Sequence, residues 1–321
     1  MRIPYFSRIR AIKSAILLGL ALFSSGCGHR REKPELAYSQ NGVLYLTTGS
    51  GQLVRSLRTS PPICDFGLSP DGESAVFNSM SRHHYGSALY LLKVSSGAVV
   101  RLTPPGGLEV YGDPAFSPDG RAVAMAVHGQ ASGDLVEGSG PLAIMALDTR
   151  EISILKATLG SRGEPLGFVN EPEWSPDGTR LVVNFELGFS QVNAKGNSLQ
   201  DVASMIGCDG CEYMNAVGWL GSKCVVYQAG KNYEEALKTP ARVLNLVART
   251  TKPANEVLGV PASSLTDVLK FSPALWVRRA GPKLVVEGGG SAWELPLAPE
   301  ADVFVSIMPR GDQSRVPEVC R

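Results

Sequence analysis

One four-residue turn sequence, Ser-Pro-Asp-Gly, occurs three times and constrains the fold more than any other feature of the chain. Proline fixes the φ angle of the first turn residue, aspartate suits the next position, and glycine accepts the positive φ that closes a tight hairpin. Each copy precedes a short apolar run, so each is predicted to join two strands. The residues concerned are Ser69, Pro70, Asp71, Gly72, Ser117, Pro118, Asp119, Gly120, Ser175, Pro176, Asp177 and Gly178.

Two weaker copies extend the repeat beyond residue 178. One runs from Trp219 to Ser222, and the other from Trp276 to Pro282. Successive copies lie roughly 45 to 58 residues apart, a period typical of the four-stranded blades of a β-propeller. The 35 glycines and 22 prolines of the chain also favour turns and strands over helices. The sequence therefore predicts an all-β fold.

The other half of the repeat is an outer hairpin, seen at 43–54, 88–102 and 142–152. The first copy lacks an inner strand, and the apolar run 303–307 after the last copy is predicted to supply it and close the ring. We therefore expect a six-bladed β-propeller of four-stranded antiparallel blades with a C-terminal closing strand. The predicted repeats lie near 36–60, 61–104, 109–160, 168–206, 212–252 and 266–300, followed by a tail at 309–321.

The Phe/Trp-Ser-Pro-Asp-Gly turn resembles the WD40-like PD40 repeat of the TolB-like six-bladed propellers, and the resemblance covers residues 36–308. It implies a propeller that serves as an interaction hub in the cell envelope. TolB itself has a further domain before its propeller, whereas here a blade follows soon after the N-terminal segment. The specific partners of TolB are therefore not carried over to this chain.

The first 26 residues are predicted to be a lipoprotein signal peptide, with a basic start, an apolar run at 15–23, and small residues before Cys27. Acyl chains such as palmitate on Cys27 would anchor the protein through a tether at 27–35. Gly28 resembles the residue found in lipoproteins sent to the outer membrane, facing the periplasm, if the host is Gram-negative. The alternative is ordinary signal cleavage nearby, which would leave Cys27 as an unmodified thiol.

Five cysteines remain after Cys27, and disulfides are possible in an exported protein. Cys208 and Cys211 are expected to staple a loop, since no thioredoxin-like pattern surrounds them to favour a redox pair. Cys64 and Cys320 are a second candidate pair if the ring closes as predicted. Cys224 is expected to be a buried apolar residue of a strand, and no fourth ligand completes a zinc site.

The chain has four histidines, of which His83, His84 and His128 fall in corresponding loops of two blades. Such loops share one face of a propeller, so these residues are candidates for binding at that face. Some oligogalacturonate lyases with PD40-like propellers hold a metal there. Exposed loop histidines without a ligand role are the more frequent case, so no metal and no cofactor are predicted.

The charge balance excludes one class of partner. With 31 Lys and Arg against 30 Asp and Glu, the net charge is +1, and nucleic-acid binding is not expected. We expect a non-enzymatic, monomeric, lipid-anchored propeller that binds another envelope protein or a peptide. The alternative is an enzyme, a metal-dependent lyase, cyclase or lactonase, with its site on the loop face. Few histidines and no Ser/His/Asp arrangement argue against the enzyme.

Overall fold

Six four-stranded antiparallel sheets make up most of the described chain. The structure is a computed structural model of the 321-residue chain. It describes residues 34–79, 88–105, 109–128, 141–155, 158–159, 164–165, 170–185, 188–195, 199–201, 212–288, 291–296, 303–307 and 316–321. We number the sheets as blades 1 to 6.

The first three blades share one strand order, in which each strand pairs with its neighbour. Blade 1 contains β1 (Leu36–Gln40), β2 (Val43–Thr47), β3 (Leu53–Arg58) and the C-terminal strand β26 (Val303–Ile307), in the order β26-β1-β2-β3. Blade 2 contains β4 (Phe66–Leu68), β5 (Ser74–Asn78), β6 (Leu89–Lys93) and β7 (Val99–Arg101). Blade 3 contains β8 (Glu109–Phe116), β9 (Ala122–His128), β10 (Leu142–Ala146) and β11 (Ile152–Ile154).

The other three blades follow the same pattern after a small two-stranded sheet of β12 (Thr158–Leu159) and β13 (Glu164–Pro165). Blade 4 contains β14 (Asn170–Trp174), β15 (Arg180–Phe185), β16 (Gly188–Asn193) and β17 (Leu199–Asp201). Blade 5 contains β18 (Tyr213–Leu220), β19 (Cys224–Gly230), β20 (Arg242–Asn245) and β21 (Thr250–Pro253). Blade 6 contains β22 (Val268–Phe271), β23 (Trp276–Ala280), β24 (Lys283–Gly288) and β25 (Ser291–Pro296).

The inner strands of blades 1 to 6 are β26, β4, β8, β14, β18 and β22. Each contacts the inner strand of the next blade, and β22 contacts β26, which completes the ring. The ring is therefore closed by a C-terminal strand that pairs antiparallel with β1, with Ile307 opposite Leu36. The prediction of a six-bladed propeller closed in this way is confirmed. Pairing β1 on both sides also removes an exposed sheet edge, a common site of aggregation.

The apolar core lies between neighbouring blades. One cluster joins Leu44 and Leu46 of blade 1 to Phe66 and Phe77 of blade 2. Another joins Val277 of blade 6 to residues of blade 1. Burial of these faces on both sides of each sheet explains why the second strands read as nearly continuous apolar runs.

In the part of the chain that the structure describes, blade 5 carries two short α-helices, α1 (Tyr233–Lys238) and α2 (Ala254–Leu258), which the repeat did not predict. The first begins after Asn232, whose side chain accepts a hydrogen bond from the backbone N–H of Glu235 at 2.9 Å. That contact satisfies one of the N–H groups that a helix leaves without an internal partner. The described residues also include two 3₁₀ helices, at Ala262–Leu265 and Glu318–Cys320.

The weak turn predicted at Trp276 to Pro282 does not join the first two strands of blade 6, although the four strands lie within the predicted repeat at 266–300. The turn that joins the first two strands of blade 6 is Ser272–Leu275, and Trp276 begins the second strand. Gly281 and Pro282 instead form the hairpin between the second and third strands. The turn keeps the Phe-Ser-Pro half of the motif at 271–273 but lacks Asp-Gly, so it does not stand out in the sequence.

Candidate binding site at the centre of the ring

The Ser-Pro-Asp-Gly turns have one common geometry that fixes the ends of the inner strands. The serine hydroxyl donates to the aspartate carboxylate at 2.5, 2.6 and 2.6 Å in the three copies. The glycine has a φ of 71°, 71° and 70°, in the left-handed region. Each turn therefore holds the inner and second strands of its blade in the same register.

A cavity of about 230 Å³ lies where the inner strands converge, and all six blades contribute to its lining. We call it the central pocket. The lining residues are Phe66, Gly67, Leu68, Pro114, Ala115, Phe116, Pro118, Pro172, Glu173, Trp174, Pro176, Trp219, Lys270, Phe271, Ser272, Pro273, Ser306 and Ile307. Aromatic rings and prolines dominate this surface.

The central pocket lies at the end of the ring that carries the Ser-Pro-Asp-Gly turns. Pro118 and Pro176 are the prolines of two such turns, and Pro273 holds the equivalent place in blade 6. We call this the turn end of the ring, and the opposite end the loop end. The turn end is also where the third and fourth strands of each blade are joined.

Two tryptophans connect neighbouring blades around the central pocket. The Trp174 Nε1–H donates to the carbonyl of Ala115 at 3.0 Å, and the Trp219 Nε1–H donates to the carbonyl of Glu173 at 2.9 Å. Because both indole N–H groups already have acceptors, what these side chains offer to a ligand is apolar ring surface. The Arg180 guanidinium lies over the Trp219 ring, 5.4 Å from its centroid, in a cation–π contact.

The charged side chains among the described lining residues are Glu173 and Lys270. Glu173 belongs to blade 4 and Lys270 to blade 6, so their contact joins two blades that are not neighbours in the ring. The Lys270 Nζ lies 3.0 Å from the Glu173 Oε1, and the side chains are 14% and 31% exposed, respectively. An ion pair this sheltered is screened less by salt than one on an open surface.

Close backbone approach between neighbouring inner strands depends on glycine at two positions. A Cβ on Gly67 would lie 2.1 Å from the carbonyl oxygen of Pro114 in the next blade. A Cβ on Gly218 would lie 2.2 Å from the carbonyl oxygen of Phe271. Neither distance is compatible with a side chain, so these glycines set the spacing of blades 2 and 3 and of blades 5 and 6.

Hydrogen bonding shifts the acidity of two turn aspartates. The Ser117 hydroxyl and the backbone N–H of Arg121 lower the pKa of Asp119 from its usual value. Burial opposes ionisation of Asp177, but hydrogen bonds from Ser175 and Thr179 outweigh it and lower the pKa. Both carboxylates therefore remain ionised as structural acceptors.

Burial has the opposite effect on two groups at the loop end. It raises the pKa of Tyr213 to about 12, with smaller contributions from Tyr233 and Glu171. It also raises the pKa of Asp267, although Arg279 and Arg278 lie nearby and act in the opposite direction. Tyr213 begins the inner strand of blade 5, and Asp267 immediately precedes the inner strand of blade 6.

The predicted pairing of Cys320 with Cys64 is wrong. Cys320 forms a disulfide with Cys224, which therefore is not the isolated apolar residue that the sequence suggested. The pairing follows from the path of the tail, because Val316 is buried in the cluster that contains Leu220 and Cys224 of blade 5. Cys64 lies elsewhere, just before the inner strand of blade 2.

Several predicted site residues lie outside the described residues: Cys27, His83, His84, Cys208 and Cys211. His128 is the last residue of β9, opposite Glu109, and its side chain is not described. The suggested convergence of the three histidines therefore stays a prediction. Among the described residues, no group of three or more His, Cys, Asp and Glu side chains is arranged to hold a metal ion.

The residues of the central pocket were missed by sequence reasoning. They come one to four at a time from six strands that are far apart in the chain, and no motif links them. One local signal is the Phe-Ser-Pro sequence at 271–273, which matches part of the repeated turn and directly follows Lys270. In the part of the chain that the structure describes, no helix has the length and apolar character needed to span a bilayer.

Comparison with known proteins identifies the fold and no family. No family profile matches the sequence, and no curated protein matches it either. Among solved structures, an oligogalacturonate lyase in complex with manganese is similar with a TM-score of 0.53 and 14% identity, over 78% of this chain and 69% of that one. This likeness is one of fold.

Two further structures have lower TM-scores than the lyase. A protein described as TolB from Agrobacterium tumefaciens has a TM-score of 0.48 and 17% identity, over 68% of this chain and 76% of that one. A structure from a nidogen/laminin complex has a TM-score of 0.49 and 11% identity, over 85% of this chain and 98% of that one.

Proposed function

We propose that this chain is a non-catalytic lipoprotein of the cell envelope whose propeller binds a segment of another protein, or a peptide, at the central pocket. The observation that carries the proposal is the lining of that pocket. Blades 2 to 6 supply aromatic rings or prolines to one concave surface, and blade 1 supplies Ser306 and Ile307, with a single charged pair among the described lining residues.

The chemistry of the lining suits a polypeptide ligand. Prolines and hydrogen-bonded tryptophans lose little conformational freedom when they are covered, so the ordering cost of binding is small. Aromatic residues are also enriched where proteins contact one another. The Glu173–Lys270 pair offers a polar point within the apolar surface that can select for a side chain or a main-chain group.

The size of the central pocket favours part of a larger partner over a whole small molecule. Sites for drug-sized ligands usually enclose about 300–1,000 Å³. The central pocket, at about 230 Å³, suits a few side chains of a segment whose remaining contacts lie on the surrounding rim. We infer that the propeller itself is a monomer and that its partner is another envelope protein or peptide.

Site-specific photo-crosslinking tests the binding proposal. A photoreactive amino acid placed at Pro176, in the pocket lining, should give a discrete crosslinked product in envelope preparations. The matched control is Val247, which is 68% exposed and lies at the turn end but is not among the lining residues. Equal products from both positions, or no product from Pro176, would contradict the proposal.

The localisation is proposed from Cys27 and its preceding leader, with the outer membrane, facing the periplasm, as the site if the host is Gram-negative. The substitution Cys27→Ser should move the protein from membranes to the soluble envelope fraction, because the acyl chains would be lost. Unchanged membrane association in that variant would rule out the lipid anchor.

The alternative is a propeller enzyme, such as a metal-dependent lyase, cyclase or lactonase. The similar structure of a manganese-bound lyase supports only the fold. Metal content of the purified chain separates the two cases. Stoichiometric metal that is lost in a His83→Ala/His84→Ala variant would favour the enzyme and overturn our choice.

A further inference from the structure

Blade 1 differs from the other blades at the turn end of the ring. In blades 2 to 6 a turn joins the inner strand to the second strand at this end. In blade 1 those two strands are β26 and β1, which are the last and first strands of the chain. Leu36, at the start of β1, pairs with Ile307, at the end of β26, so the missing sixth turn is replaced by two separate chain segments.

The chain before β1 therefore enters the ring beside the central pocket. Ile307 and its neighbour Ser306 both line that pocket. Glu35 fixes the direction of entry, since its backbone N–H donates to the carbonyl of Thr47 at 2.8 Å and its carboxylate accepts from the N–H of Gly49 at 3.0 Å. An anchor on the N-terminal segment would therefore be joined to the ring at its turn end.

Among the described residues, more exposed large apolar side chains lie at the turn end than at the loop end, where Tyr233 and Ile154 are exposed. Leu53, 54% exposed, begins β3 directly after the turn that follows β2. Val247 is 68% exposed in the turn between the outer strands of blade 5. Val319, 59% exposed, lies close by, because its carbonyl accepts from the Asn245 Nδ2 at 2.9 Å. Single exposed apolar residues are ordinary, but three on one end of the ring suit an apolar or interfacial environment.

From these relationships we infer that the turn end faces the membrane, and that the ligand of the central pocket is the membrane-proximal segment of a protein anchored in the same membrane. This inference rests on the proposed lipid anchor and deepens the proposed function. Cys27 precedes Pro34 by seven residues, and a fully extended segment of that length spans at most about 25 Å. The rim of the pocket therefore stays within reach of polypeptide that has just left the bilayer.

The orientation can be measured with the full lipidated chain on vesicles whose headgroups carry an energy acceptor. A donor fluorophore is attached through an unnatural amino acid at Val247 or at Lys231. Both sites belong to blade 5, at opposite ends of β19, which separates them by about 20 Å. We expect energy transfer at least about twofold greater from position 247. Equal transfer, or greater transfer from position 231, would overturn the orientation.

The same vesicles distinguish failure of this inference from failure of the anchor. In a flotation assay the lipidated chain should rise with the vesicles, and the Cys27→Ser variant should not. A chain that does not float refutes the anchor in the proposed function. A chain that floats but shows no difference between the two donor positions refutes only the orientation.

The nature of the partner is tested by lengthening the tether. Thirty Gly and Ser residues inserted between Lys33 and Pro34 would release the pocket from the membrane surface, and thermal unfolding would verify that the ring is unchanged. Crosslinking from Pro176 to a membrane-anchored partner should then fall several-fold. A product that is unaffected by the insertion, or whose partner is a soluble protein, would overturn the proposed partner class.

Discussion

Cys224, the first residue of β19, forms a disulfide with Cys320 in the C-terminal 3₁₀ helix, with their Cα atoms 5.1 Å apart. Both residues are fully buried. The bond spans 96 residues of sequence and closes a loop that includes all of blade 6 and the closing strand β26. The closing strand is thus held in blade 1 by hydrogen bonds, and the end of the tail that follows it is covalently linked to blade 5.

The first prediction concerns this disulfide. Cys320→Ser should lower the free energy of unfolding by about 2–5 kcal/mol, since a long loop of the unfolded chain is no longer constrained. Urea unfolding with and without reductant measures the loss. Cys64→Ser is the control and should lose as much stability on reduction as the parent, whereas Cys320→Ser should lose less. Equal stability of Cys320→Ser and the oxidised parent would contradict the prediction.

The second prediction separates the closing strand from the tail that follows it. Truncation after Pro296 removes β26, whereas truncation after Ile307 keeps it and removes only the tail and disulfide. Loss of β26 exposes the edge of β1 and removes Val305 from the cluster shared by blades 6 and 1. It also removes the Ser306 hydroxyl that accepts from the N–H of Leu68 at 3.3 Å.

We therefore expect the shorter chain to unfold at a lower temperature than the longer one, and to aggregate more readily. Thermal unfolding followed by circular dichroism, with light scattering, provides the comparison. Identical unfolding of the two truncated chains would mean that β26 contributes nothing to ring stability.

The architecture could be predicted because it depends on the local chemistry of the turns, whereas the central pocket depends on packing between residues far apart in the chain. Proline, aspartate and glycine act within one turn, so the hairpins and their spacing could be predicted, and the spare run 303–307 identified the closing strand. The first turn of blade 6 was not recognised because Ser272 and Pro273 are not followed by Asp-Gly.

The disulfide and the central pocket depend on contacts that no local pattern records. Cys224 meets Cys320 because Val316 packs on blade 5, which follows from the three-dimensional path of the tail. Glu173 and Lys270 are 97 residues apart in sequence and meet only because blades 4 and 6 face the same opening. Neither relationship has a signature in spacing or composition.

The third prediction compares two substitutions in one Ser-Pro-Asp-Gly turn. Gly178 has a φ of 70°, which a β-branched residue adopts only with strain, so Gly178→Val should cost about 2 kcal/mol or more. Asp177→Asn retains an oxygen that can accept from the Ser175 hydroxyl and from the N–H of Thr179, and should cost less. Urea unfolding of both variants tests the order, and a larger loss for Asp177→Asn would contradict it.

The fourth prediction concerns the close approach of blades 2 and 3. Gly67→Ala would place a Cβ 2.1 Å from the carbonyl oxygen of Pro114, and relieving that overlap requires the inner strands to separate. We expect a loss of about 1–3 kcal/mol, as for other overpacked sites. The control is Gly281→Ala, where the new Cβ meets no atom within 4 Å and only the φ of 59° resists the change. If Gly67→Ala proves no more destabilising than Gly281→Ala in urea unfolding, the inner strands do not approach as closely as described.

The fifth prediction is a pH dependence that originates in the turns. The pKa values of Asp119 and Asp177 are lowered in the folded protein, so folding favours their ionised forms. Their contribution to stability is fully present above the unfolded pKa, near 3.8, and is lost as the pH falls through the lower folded values. Stability measured by urea unfolding should therefore decrease on acidification in this range. An Asp119→Asn/Asp177→Asn double variant cannot gain these protons and should show a shallower decrease between pH 5 and pH 2. If parent and double variant lose stability in parallel over that range, the turn carboxylates are not the groups responsible.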